Sequence, residues 1–312
     1  MKVLVTERID SRGIELMKKR GLQTDERLDL GREELLEIIG NYDALIVRSA
    51  TQVDKELLDS AVKMKVVGRA GNGMDNIDVK YAAEKRIVCI NAPDSNSIAA
   101  AEHTIALLLA VCRNLPKGDS TLRDGLWERS KLMGVELFDK TIGIVGLGRI
   151  GKMVAARLQA FGMKTVAYDP FIPELDMARL NVKKVDTIND LMKICDFITV
   201  HMPKTKDTLG LIGEEELRLA KKDLRIVNCA RGGLVDENAL YIALKEGRIA
   251  GAGLDVFAEE PCTNNPLLTL DNVVATPHLG ASTKEAQVKA GIMTAEKIAV
   301  ILLGEEEMTG AR

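Results

Sequence analysis

Only three imidazoles are present in the 312 residues, His103, His201 and His278, so the search for a group that exchanges protons near neutral pH is short. His278 follows the apolar run Val273–Thr276 and precedes Leu279-Gly280-Ala281-Ser282. That is the carboxyl edge of a strand, where ligands of α/β sheets bind, beside a glycine that lets a cofactor approach the backbone. Two other strand ends carry complementary groups. Asn228-Cys229-Ala230-Arg231-Gly232-Gly233 closes one with an arginine on a glycine-rich turn, and Asp255 to Pro261 closes the next with carboxylates. Arginine, carboxylate and histidine together suit hydride transfer on a 2-hydroxy acid. Arginine holds the substrate carboxylate in a fork. Histidine takes the hydroxyl proton as hydride leaves C2, and a carboxylate fixes its tautomer and lifts its pKa toward the working range. Position alone leaves Glu259 and Glu260 as equal candidates for that last role. His103, in a strongly apolar helix, reads as a packed, hydrogen-bonded residue, and His201, before Met202-Pro203, as one that shapes a loop.

A hydride acceptor has its own signature. Thr141-Ile-Gly-Ile-Val-Gly146-Leu-Gly148-Arg149-Ile150-Gly151 contains G-x-G-x-x-G at the end of an apolar strand and opens a helix running through Ala160. Gly146 allows the tight turn, Gly148 lets backbone approach a pyrophosphate, and Gly151 permits close helix–strand packing. The helix amino terminus then offers N–H groups and a positive dipole end to the phosphates. Asp169, eighteen residues after Gly151, ends the next strand and is placed to accept hydrogen bonds from both adenosine ribose hydroxyls. A carboxylate there repels a 2′-phosphate, and Pro170 and Phe171 follow instead of Arg or Lys, which favours NAD over NADP.

The elements that must position these groups read as α/β. Nearly continuous apolar runs at Lys2–Thr6, Ala44–Val47, Lys65–Gly68 and Ile87–Ile90 alternate with amphipathic stretches such as Arg32–Ile39 and Asp54–Ala61. Such runs are parallel strands covered on both faces. The pattern restarts at Thr141–Gly146, Lys164–Tyr168, Asp196–Val200, Leu224–Asn228, Gly251–Val256 and Val273–Thr276. Two doubly wound parallel-sheet domains are expected, in line with roughly 150 residues per domain. The helical stretch Ser97–Arg113, apolar on nearly every face, must be buried and is placed at the domain junction. The stretch Thr283–Leu303 has no strand after it and is expected to cross back onto the first unit, followed by an acidic tail from Gly304 that reads as a frayed end. Apolar residues at 46% and charged residues at 29% exclude disorder for the whole chain. A net charge of −3 and 3% aromatics argue against nucleic-acid binding. Runs such as Ile105 to Cys112 fall far short of the ~20 residues that span a bilayer. Glu7, Arg8 and Asp10 interrupt the amino terminus before a signal-peptide core forms. Cys89, Cys112, Cys195, Cys229 and Cys262 are widely spaced with no Cys-x-x-Cys, which points to reduced thiols in a cytoplasm and no metal site.

Taken together, Gly146–Gly151 with Asp169, Asn228–Asp236, Glu259-Glu260-Pro261 and Pro277–Thr283 resemble the D-isomer-specific 2-hydroxyacid dehydrogenases, over residues 1–303. Arg69–Asp78, Ala99–Thr104 and Gly125–Arg129 narrow the resemblance to the branch acting on D-3-phosphoglycerate. The resemblance implies Arg231, Glu260 and His278 as the catalytic set, which settles the glutamate on the residue before Pro261. Besides Gly146, Gly148 and Gly151, it implies cofactor contacts from Asn72, Arg149, Ile150, Asp169, Pro203, Cys229, Ala230, Arg231, Asp255, His278 and Gly280. The backbone of Asn72-Gly73 would meet the substrate carboxylate, which Arg231 and His278 also approach, and Arg48 and Arg69 would hold the 3-phosphate. Arg129, with Lys131, would reach a partner subunit's site. Asn72 stands where threonine is frequent and keeps a hydrogen-bonding side chain. The implied architecture is a Rossmann NAD-binding domain (96–283) inserted in a flavodoxin-like substrate domain (1–95 and 284–312). The implied protein is a cytoplasmic homodimer joined through Ser97–Gly134, with a tetramer as the alternative and no membrane or nucleic-acid partner. The implied reaction is NAD-dependent oxidation of D-3-phosphoglycerate to 3-phosphohydroxypyruvate, opening serine biosynthesis. A glyoxylate or hydroxypyruvate reductase on the same scaffold is the nearest alternative, and an NAD-sensing corepressor a remote one. Larger members carry carboxyl-terminal domains, one of them serine-sensing; the expectation here is a short form, natural or truncated, without that feedback.

Overall fold

The structure, a computed structural model, describes residues 1–304; the tail beyond, expected to fray, lies outside the described residues. In chain order the strands are β1 (Lys2–Val5), β2 (Gln23–Glu26), β3 (Ala44–Val47), β4 (Val66–Arg69), β5 (Val88–Asn91), β6 (Thr141–Val145), β7 (Lys164–Tyr168), β8 (Lys183–Lys184), β9 (Phe197–Val200), β10 (Arg225–Asn228), β11 (Gly251–Leu254) and β12 (Val273–Ala275). They form two all-parallel sheets, ordered β2-β1-β3-β4-β5 and β12-β11-β10-β9-β6-β7-β8. The chain divides into two compact units, Met1–Asn96 with the stretch from Ala281 onward, and Ser97–Gly280.

In the first unit, successive residues of one strand enter opposite cores. Val3, Val5, Ala44, Ile46 and Val66 pack with Ile14, Met17 and Ile298 on one face. Leu4, Leu45, Val47 and Val67 pack with Leu35, Leu57 and Leu58 on the other. Covering both faces removes the polar alternate positions, which is why these strands read as unbroken apolar runs. Each such Ile, Leu or Val contributes roughly 1.5–3 kcal/mol of transfer free energy. The helix Lys284–Leu303, capped by Thr283 Oγ1 accepting from Ala286 N at 3.2 Å, returns to this unit as expected. Ala295, Ile298, Ala299 and Leu302 bury against the β1 and β3 side of the sheet, and Lys297 Nζ donates to Asn91 O at 3.0 Å.

The second unit opens with the helix Ser97–Arg113, its bounds as expected. Leu107, Leu108, Val111 and Cys112 pack against Ile142, Val154, Leu158, Phe197 and Val227, so it is a core helix of this unit. The strand order turns back at β6, with β9 on one side and β7 on the other. Ligands of open α/β sheets bind at that reversal, outside the carboxyl ends of the strands. Two strands carry no apolar signal, β2 (Gln-Thr-Asp-Glu) and β8 (Lys-Lys); both lie at sheet edges, where one flank is open to water. No single described helix is long and apolar enough to cross a membrane; Ser97–Arg113 and Leu115–Arg123 reach the length together but meet at 62°.

Candidate active site

At the reversal, Gly146 turns the chain with φ 93°, and its N–H bonds Tyr168 O at 2.9 Å. The helix Arg149–Ala160 begins on Gly148 with no side-chain cap, leaving its first N–H groups for a ligand. A Cβ at Gly148 would meet nothing within 4 Å, whereas one at Gly151 would stand 2.2 Å from Gly146 O. The first glycine therefore faces open space and the second seals helix to strand. Open space before uncapped amides fits a pyrophosphate. Asp169, 8% exposed, accepts from Leu147 N at 2.8 Å through Oδ2 and from Phe171 N at 2.9 Å through Oδ1. Each oxygen keeps a second lone pair, the capacity two ribose hydroxyls need. Arg149 and Ile150 sit on the first helical turn, and Pro203 is exposed just beyond β9. Cys229 is half-buried in the turn after β10, its thiol pushed up to about 12 by desolvation, as for an inert residue.

Along the same edge, β10, β11 and β12 are neighbours, and the arginine, carboxylate and histidine stand beyond their ends. His278 Nδ1 lies 2.7 Å from Glu260 Oε2, so of the two candidate glutamates Glu260 is the partner. Glu260 Oε1 accepts from Phe257 N at 3.0 Å. Burial alone would raise the Glu260 pKa; the bonds from His278 and from the Phe257 N–H outweigh it and hold the carboxyl below its usual range. His278 itself adopts φ 55°, a left-handed conformation costly for a side chain, and remains solvent-exposed. Its backbone is held there: His278 N donates to Asp255 O at 2.8 Å, Leu279 N to Asp255 Oδ1 at 2.7 Å, and Gly280 N to Asp255 Oδ2 at 2.8 Å. Arg231 occupies the turn after β10, shaped by Asn228, whose Nδ2 donates to Arg231 O at 2.9 Å and whose Oδ1 accepts from Ala230 N at 3.0 Å. Gly232 packs directly on the Phe257–Ala258 peptide, which ties the arginine turn to the glutamate loop. The guanidinium donates to Ala230 O at 2.7 Å.

Asp255, expected as a cofactor contact, has a fully buried side chain that holds this turn. Thr276 Oγ1 donates to its Oδ1 at 2.6 Å, and His103 Nε2 lies 3.1 Å from the same atom and 3.0 Å from Thr276 Oγ1. His103 is thus a packed, hydrogen-bonded residue, as expected, but its partner carries the His278 turn. Nothing local in the sequence signals that contact. His201 Nε2 lies 2.9 Å from Thr199 Oγ1, and burial lowers its pKa to about 4, so it stays neutral.

Four further expected residues lie in the first unit. Arg48 and Arg69 follow or end the adjacent strands β3 and β4, in the register Val47↔Arg69. The Arg69 guanidinium lies across Gly71, where any Cβ would meet its Nη1. Asn72 O accepts from Asn91 Nδ2 at 2.7 Å, and Gly73 follows on the same loop. Arg129 sits on an exposed 3-10 turn of the second unit, where Lys131 Nζ pairs with Glu128 at 2.6 Å. Among the described residues no group of three or more His, Cys, Asp or Glu could hold a metal ion.

A doubly wound sheet with a glycine turn open to pyrophosphate, and a histidine–carboxylate pair on the same edge, has the form of a dinucleotide-binding domain. Residues 105–280 match the family described as D-isomer specific 2-hydroxyacid dehydrogenase, NAD binding domain. The chain belongs to that family, and this stretch is its NAD-binding domain. Over 305 residues the chain is 51% identical to a D-3-phosphoglycerate dehydrogenase of Methanocaldococcus jannaschii, covering 98% of this chain and 58% of that protein. It therefore spans a little over half the length of the curated relatives it matches. Among solved structures, the TT0316 protein from Thermus thermophilus superposes with a TM-score of 0.89 at 34% identity, covering 99% of each chain. A glyoxylate reductase from Paecilomyes thermophila superposes at 0.88 and 30% identity, covering 98% of this chain and 96% of that one.

Proposed function

We propose that this chain oxidises D-3-phosphoglycerate to 3-phosphohydroxypyruvate with NAD, the reaction that opens serine biosynthesis, as a cytoplasmic homodimer. The observation that carries the chemistry is the 2.7 Å contact between His278 Nδ1 and Glu260 Oε2 at the edge of the NAD-binding sheet. Bound NAD supplies the hydride acceptor, held by the Gly146–Gly151 turn and Asp169. Glu260 below its usual pKa is ionised and can only accept, so the proton of the pair sits on Nδ1. Nε2 then carries the lone pair that takes the C2 hydroxyl proton as the C2 hydride departs. The imidazolium that results lies against Glu260, which stabilises it; in the reverse direction Nε2 returns the proton to the carbonyl oxygen. Asp255 keeps the imidazole aimed by holding the amides of Leu279 and Gly280. Arg231 exchanges its bond to Ala230 O for the substrate carboxylate, a stronger, bidentate acceptor, with the backbone of Asn72-Gly73 as its second holder. Arg48 and Arg69 take the 3-phosphate, and Arg129 with Lys131 serves a partner subunit's site.

Choice of the phosphorylated substrate is supported by the 51% identity to the M. jannaschii protein, against 30% to the glyoxylate reductase. Initial rates with D-3-phosphoglycerate and NAD, compared with glyoxylate, hydroxypyruvate and 3-phosphohydroxypyruvate and NADH, test it. A marked preference for the phosphorylated pair is expected. Preference for an unphosphorylated keto acid would keep the mechanism and overturn the substrate.

A further inference from the structure

The first unit contains a carboxylate that no part of the proposed chemistry uses. Glu7 lies two residues beyond β1, beside the loop that follows β3, because β1 and β3 are paired in the register Val5↔Ile46. Its carboxylate collects four consecutive backbone N–H groups. Oε1 accepts from Arg48 N at 2.8 Å and Thr51 N at 2.9 Å, and Oε2 from Ser49 N at 3.1 Å and Ala50 N at 3.0 Å. Two carbonyls of the loop are fixed as well. Asn76 Nδ2 donates to Arg48 O at 3.0 Å and Thr51 O at 2.7 Å, and the hydroxyls of Thr6 and Thr51 are 2.9 Å apart.

An ionised carboxylate has about four lone-pair positions, and all four are filled here by amides. Glu7 therefore has no free lone pair for a substrate or a metal. What it has is the ability to curl residues 48–51 around one point. Bonds of this kind, from N–H to an ionised oxygen, are about twice as strong as neutral ones. They also offset the negative charge, which would otherwise oppose an anion bound nearby. The loop they hold carries Arg48.

We propose that Glu7 is a positioning residue for phosphate selection: it sets the backbone from which Arg48 reaches the 3-phosphate, without touching substrate itself. The inference rests on the reading of Arg48 as a phosphate ligand. A glutamine at position 7 keeps the shape but offers one oxygen to four donors and turns an NH2 group on two of them.

The test follows NADH consumption with 3-phosphohydroxypyruvate and with hydroxypyruvate in Glu7→Gln, Glu7→Asp, Arg48→Ala and the Glu7→Gln/Arg48→Ala double variant, with thermal melting of each. Glu7→Gln should raise KM for the phosphorylated keto acid about tenfold, leave KM for hydroxypyruvate unchanged and hold kcat within about twofold. Glu7→Asp, which keeps the charge and reaches fewer amides, should fall between wild type and Arg48→Ala, and it carries the test if the glutamine variant does not fold. In the double variant, losing Glu7 should cost no further selectivity, because the arginine it positions is gone. Equal losses for both substrates, or an additive double variant, would reduce Glu7 to a general stabiliser and overturn the proposal. An Arg48→Ala protein with unchanged selectivity would sink the phosphate assignment itself, a result distinct from a silent Glu7→Gln beside a selective Arg48→Ala.

Discussion

The carboxyl edges of the two sheets solve one problem in different ways. In the second unit, Asp255 clamps the turn that carries His278; in the first, Glu7 clamps the loop that carries Arg48. Asp255 is fully buried, takes side-chain donors as well as amides, and forces the neighbouring histidine into φ 55°. Glu7 is half-buried, is held mainly by four amides, and would leave a long, flexible arginine to complete the proposed reach. On the proposed roles, proton transfer tolerates little error in distance, so His278 would need fixing at the backbone. A phosphate accepts from many directions, so Arg48 as its proposed ligand would need only a firm base. Damage on the first edge should therefore appear in KM, and damage on the second in kcat.

The sharpest way to break this division is His278→Ala, for which kcat should fall about 10²–10⁴-fold with little change in KM, as read from steady-state rates. A loss confined to KM would put the histidine among the binding groups. Next in size is Glu260→Gln: the Nδ1 tautomer loses its fixed acceptor, and kcat should drop about 10–100-fold while 3-phosphohydroxypyruvate KM holds. Arg48→Ala should show the opposite pattern, with KM for the phosphorylated keto acid raised roughly tenfold or more and kcat kept.

Acid stability compares the two clamps directly. Burial would raise the pKa of Asp255 and of Glu7, but the donors around each outweigh it and hold both below their ordinary values of 3.8 and 4.5. A group depressed in the folded state stabilises above its ordinary pKa, and that contribution fades as pH falls through the folded value. The Tm should therefore decline in acid, and Asp255→Asn should both lower Tm at neutral pH and flatten that decline, more than Glu7→Gln does. Equal effects would mean that burial of Asp255 adds nothing. The smallest effect is expected at Cys229: with its thiol pushed up to about 12, iodoacetamide near neutral pH should leave both the residue and the rate unchanged.

These clamps also mark how far a sequence can be read. β3, β6 and β9 are legible because burial on both faces makes most positions apolar, and β2 and β8 are not because edge strands have no such demand. The glycine turn, Arg231, Glu260 and His278 are legible because the proposed hydride transfer asks for particular residue types at strand ends. Glu7 reads from sequence only as a charge near the amino terminus, since its four partners are amides that every residue but proline possesses. The His103–Asp255 contact is equally silent, because it joins residues 152 apart.

The return of the Lys284–Leu303 helix to the first sheet gives synthesis of this chain an unusual order. Ser97–Gly280 is contiguous and can collapse as soon as it leaves the ribosome. The five strands translated before it keep part of one face uncovered until the Lys284–Leu303 helix is made. Chains usually mature from the amino terminus onward. Here the strands translated before Ser97–Gly280 are completed only after it, by the Lys284–Leu303 helix.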